Sequence, residues 1–178
     1  MANTTFQGPV TSKNGFITTG PANVVDADSS IALTVATHAG RIVHNNAAGA
    51  VTYTLPAINA NSDSAVAGPG ADLNNLSNIG ASFEIFVSIT KTGDFVLQVA
   101  NANDVMVGGA KFIDDTSDNM VGFETVAASD TITLNGTTTG GVTFAKVTCT
   151  AISSTQWKVD VESGCTGTPA TPFSAAVS

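Results

Sequence analysis

Charge is scarce in this chain: of 178 residues, 6 are Lys or Arg and 14 are Asp or Glu, so charged residues make up only 11%. The basic residues Lys13, Arg41, Lys91, Lys111, Lys146 and Lys158 stand singly. Without a basic patch there is no counterion release to hold a phosphate backbone, and nucleic acid is not an expected partner. Long apolar runs are lacking too. Nothing approaches the roughly 18 apolar residues of a membrane span, and the opening MANTTFQGPV has neither a charged n-region nor an apolar h-region. The chain therefore reads as one made in the cytoplasm, with no membrane partner. There the two cysteines, Cys149 and Cys165, stay reduced. Cys149 is expected as a small buried hydrophobe and Cys165 as an incidental thiol. The sequons at Asn3, Asn75 and Asn135 are expected to stay unmodified.

Reactive patterns are equally sparse. His38 and His44, in THAGRIVHN, have no carboxylate near them in sequence, and HExxH does not occur. The acidic stretch IDDTSDN (Asp114, Asp115, Asp118) offers oxygen ligands for calcium but lacks the glycine and terminal glutamate of an EF-hand, and reads as a solvated turn. No GxSxG occurs, and Cys149 lies mid-strand with no histidine beside it. Glu84, Glu124 and Glu162 read as surface charges, because glycoside hydrolysis needs two carboxylates held across a cleft. The pairs Gly108-Gly109 and Gly140-Gly141 read as turns, since neither is followed by Lys-Ser/Thr. The expectation is a protein that is not an enzyme, with no catalytic residue, cofactor or metal.

What is present is strand and turn. Phe83, Ile85, Val87 and Ile89 alternate with Glu84, Phe86 and Ser88, and Phe95, Leu97 and Val99 continue the pattern beyond TKTGD, which reads as a hairpin. RIVHN and VTYTL read as a second hairpin across NAAGA, ended by Pro56. VTFAKVTCTAI and WKVDV read as a third across SSTQ, with Trp157, Val159 and Val161 on one side. In TITLNGTTTGG, Ile132 and Leu134 should point inward, and the glycines supply positive-φ positions for the turn toward Val142. With IALTVAT (31–37), MVGFETVA (120–127) and no persuasive helical periodicity, the fold class is all-β: an antiparallel β-sandwich, jelly-roll or barrel. Asp26 and Asp28 read as turn residues before the first strand.

The organisation expected is an extended N-terminal arm at 1–24, a β-sandwich domain at 25–163 and a C-terminal tail at 164–178. The arm has isolated apolar residues, Phe6, Val10, Phe16 and Ile17, which cannot bury a face of their own. The stretch from Asn59 to Gly80 reads as a long surface loop, with one helical turn in ADLNNL.

Four phrases, MANTTFQGPVTSKNGF, LTVATHAGRIVHNNAAGAVTYTLP, TLNGTTTGG and SGCTGTPATPFS, together resemble a family of head decoration or cement proteins of tailed bacteriophages, found among marine phages in particular. The resemblance implies a β-sandwich or tulip-like protomer, a homotrimer, and a place on the outer surface of the phage head. There it would bind the major capsid protein and stabilise the shell, with Phe6, Val10, Phe16 and Ile17 as capsid contacts. The alternatives are a tail or fibre component and a carbohydrate-binding β-sandwich. The latter needs exposed rings for sugars to stack on, and the chain has one Trp and one Tyr.

Overall fold

A computed structural model of the chain describes residues 24–59 and 77–178. The arm, with Phe6, Val10, Phe16 and Ile17, and most of the 59–80 segment, including ADLNNL, lie outside the described residues.

The chain is nearly all β. The strands are β1 (Val24–Asp26), β2 (Ile31–Ala32), β3 (Ile42–Asn45), β4 (Val51–Thr54), β5 (Ser82–Val87), β6 (Phe95–Gln98), β7 (Val105–Asp114), β8 (Asn119–Glu124), β9 (Thr131–Leu134), β10 (Ala145–Ala151), β11 (Gln156–Cys165) and β12 (Phe173–Ser174). They form a seven-stranded sheet in the order β1-β3-β5-β10-β11-β7-β8 and a five-stranded sheet in the order β12-β9-β6-β4-β2.

The first six strands alternate between the sheets. β1, β3 and β5 lie side by side in parallel in one, and β2, β4 and β6 do the same in the other. The chain thus climbs as a three-rung coil, each rung giving one strand to each sheet. Both sheets are mixed, which corrects the antiparallel expectation. Two expected hairpins are also corrected, because NAAGA and TKTGD are corners at which the chain leaves one sheet for the other. Alternation reports which face of a strand is buried and says nothing of which strand lies beside it. The corners bond to one another, with Thr92 N donating to Ala48 O at 2.8 Å.

The third hairpin forms as expected, with β10 antiparallel to β11 in a register that sets Ala151 opposite Trp157. The small residue leaves room for the indole, which packs at 60° to the Phe83 ring with centroids 5.7 Å apart. β7 and β8 form a further hairpin. The buried side chains of the two sheets make one core: Phe83, Ile85, Val147, Trp157 and Val161 from the larger, Tyr53, Phe95, Leu97, Ile132 and Leu134 from the smaller.

IALTVAT divides into the short β2 and one helical turn, α1 (Val35–His38), where the Thr34 hydroxyl accepts from Thr37 N and caps the turn. Gly108-Gly109 lies inside β7, the strand those glycines conceal in the sequence. A Cβ on Gly108 would stand 1.8 Å from Val159 O, so only glycine lets β7 lie against β11 there. Asp26 belongs to β1.

The segment after 163 is not a loose tail. β11 runs to Cys165, Phe173 is buried, and β12 pairs with β9. Ala176 N and Val177 N donate to the Asp130 carboxylate at 2.8 and 3.2 Å, fixing the last residues to the smaller sheet.

Candidate functional site

The coil has one corner where three connections stack: 27–30 after β1, 46–50 after β3 and 88–94 after β5. Backbone and side chains tie each level to the next. Asn46 N donates to Asp28 Oδ1 at 2.8 Å, Thr52 N to Ser30 Oγ at 2.9 Å, and Ser88 N to Asn45 O at 3.0 Å.

Inside this corner lies a buried lysine. Lys91 is 3% exposed, and its Nζ donates to Asn45 Oδ1 at 2.6 Å and to Ala47 O. The ammonium also stands 5.5 Å from the Phe95 ring centroid, a cation–π distance. Asn45 is fully buried; its Oδ1 accepts a second bond, from Ala47 N at 3.1 Å, and its side chain also faces the Tyr53 hydroxyl. Two donors on one atom identify it as the oxygen. Tyr53 packs edge-on to Phe95 with centroids 5.0 Å apart, and its hydroxyl donates to Ala27 O.

Burial draws Lys91 down to about 8, against the opposing pull of the Asp28 carboxylate. Burial, and secondly Asp28, hold the Tyr53 phenol well above its ordinary range, so it stays neutral. TITLNGTTTGG closes over this corner. Gly141 O accepts from Lys91 N at 2.9 Å, and Gly136, at φ 79°, lies so near that a Cβ would fall 1.9 Å from Lys91 O. Alternation points to neither Asn45 nor Lys91, since both lie at or beyond strand ends.

The second feature is on the outer face of the larger sheet. Lys111, Ile113, Met120, Phe144, Glu162 and Ser163 line a recess of about 310 Å³. Ile113, Met120 and Phe144 are 53%, 72% and 54% exposed, although each is apolar. Phe144 takes φ 79°, a left-handed conformation that costs a non-glycine residue about 1–3 kcal/mol. Its ring lies over Gly164, where a Cβ would stand 3.1 Å from the ring tip. A second recess, of about 370 Å³, brings Glu124, Asp160 and Glu162 to one place beside Lys111. Glu162 is already paired with Lys146 at 3.2 Å.

No family model, curated protein or solved structure matches the chain.

The remaining residues singled out by sequence are placed as follows. His44 does have a carboxylate beside it, Asp26 Oδ1 at 2.7 Å, because parallel pairing of β1 with β3 sets the two opposite each other. His38 is buried at the end of α1, its Nδ1 accepting from Thr34 N at 3.0 Å. In IDDTSDN, Asp114 caps the β7–β8 turn, accepting from Ser117 Oγ at 2.5 Å and Thr116 N at 3.0 Å. These bonds, Ser117 first, hold its carboxyl below the usual range. Among the described residues no group of three His, Cys, Asp or Glu is placed to hold a metal ion.

Both cysteines are buried, Cys165 included, which corrects the reading of it as an incidental tail thiol. Burial pushes both thiols up, with Asp160 adding for Cys149 and Asp114 for Cys165. Trp157 is fully buried, which removes it as a sugar platform. The Asn135 side chain is engaged within its own turn, accepting from Thr137 N at 2.9 Å and donating to Thr138 Oγ1 at 3.1 Å. No helix of the described residues is long and apolar enough to cross a membrane.

Proposed function

We propose that this chain is a virion structural protein that binds the outer surface of a phage head as a homotrimer and reinforces the shell. In this reading its two sheets face each other as a β-sandwich, and the N-terminal arm docks on the major capsid protein through Phe6, Val10, Phe16 and Ile17. The four sequence phrases supply the family likeness. The structural observation that carries the reading is the recess at Ile113, Met120 and Phe144, where a strained backbone presents an aromatic ring to solvent. Exposed apolar side chains grouped at one recess are a feature of contact surfaces between proteins. We assign that recess to the contact between protomers and the arm to the contact with the shell. Many weak contacts repeated over a lattice add up through avidity.

Co-sedimentation with undecorated mature heads tests the shell contact. Saturable binding by the full chain, lost on deleting residues 1–20, is the expected outcome; no binding by the full chain overturns the proposal. Sedimentation equilibrium tests the protomer contact. The wild-type chain should run as three copies and Phe144→Ser as one, whereas a wild-type monomer overturns the trimer.

A further inference from the structure

We propose that Lys91 and Asn45 join covalently, as an isopeptide cross-link between the second and third levels of the stacked corner. The structure holds the two side chains as reactants in contact. Lys91 Nζ is 2.6 Å from Asn45 Oδ1, at the edge of the carboxamide whose carbon it would attack. Ala47 N, at 3.1 Å from the same oxygen, would stabilise the negative charge that develops there during attack. Both residues are buried, Asn45 fully and Lys91 to 3% exposure, so water does not compete for the carbon. Fixing amine and amide against each other in one corner raises their effective concentration by many orders of magnitude, to ~10⁵ M or more in well-oriented cases.

The reaction needs nothing from outside. The Nζ lone pair forms a bond to Asn45 Cγ, the Cγ–Nδ2 bond breaks, and a proton from the attacking nitrogen passes to Nδ2, which departs as ammonia. The nucleophile must be the neutral amine, and burial favours that form.

The energetics favour the product over the contact. Among the described residues no carboxylate pairs with the buried Lys91 ammonium, and an unpaired buried charge is costly in a protein interior. Condensation removes that charge, leaving a neutral secondary amide whose oxygen keeps its Ala47 bond.

Intact-mass spectrometry of the denatured full chain, followed by peptide mapping, tests this. The expected mass is below that of the sequence by one ammonia, trypsin no longer cuts after Lys91, and a protease cutting after Tyr53 or Phe83 yields one joined peptide holding positions 45 and 91. Lys91→Arg should restore the full mass. A wild-type chain of full mass, or one that lost ammonia yet is still cut after Lys91, overturns the cross-link.

Discussion

At the scale of single residues, most side chains that seemed available for chemistry are occupied by structure. Asp114 is the clearest case, its carboxylate closing the β7–β8 turn through Ser117 and Thr116. A carboxyl held below its ordinary value lends stability above the unfolded value near 3.9, which is lost as pH falls through the folded one. Carboxyl NMR should therefore find Asp114 titrating below that value, and Ser117→Ala should move the midpoint upward; an unchanged midpoint would show that Ser117 does not hold it. Asn45 and Lys91 could not be recognised in the sequence by the same kind of thinking. A lone lysine in a polar loop reads as solvated, and only the stacking of corners from distant segments turns it inward.

At the scale of elements, alternation was a good guide to faces and a poor one to neighbours. Phe83, Ile85 and Val87, and likewise Val147, Cys149 and Trp157, are buried as their spacing requires. Yet β5 and β6 pair in different sheets. A turn rich in Gly and Asn is compatible both with a reversal and with a corner, and choosing between them takes contacts remote in sequence. Glycine misled in β7. Gly108 breaks the alternation because β11 passes too close for any side chain, and in the segment read as a tail Phe173 closes the smaller sheet. Phe173→Ala should cost about 3 kcal/mol, since it removes the buried ring by which the two-residue β12 packs into the core. Urea denaturation measures this; a midpoint unchanged from wild type would mean that the strand contributes no packing.

At the scale of the molecule, the larger and smaller sheets share one core, so neither should unfold alone. Trp157 reports on the larger sheet and Tyr53 on the smaller. Trp fluorescence and near-ultraviolet tyrosine dichroism should give coincident thermal transitions, and separated midpoints would mean two independent units. The all-β class and the buried faces of β4, β5, β6, β10 and β11 were legible from residue spacing. The coil was not, because its parallel rungs join segments whose relation appears only when the whole chain is assembled.

The coil also makes the height of the domain adjustable in whole steps. Each rung repeats the same path through both sheets, so losing or gaining one would change the stack by a single strand spacing, about 4.8 Å, while leaving the faces of the remaining strands unaltered. The rise of the stack is therefore counted in strands, with each rung resting on the one before it through β1-β3-β5 and β2-β4-β6.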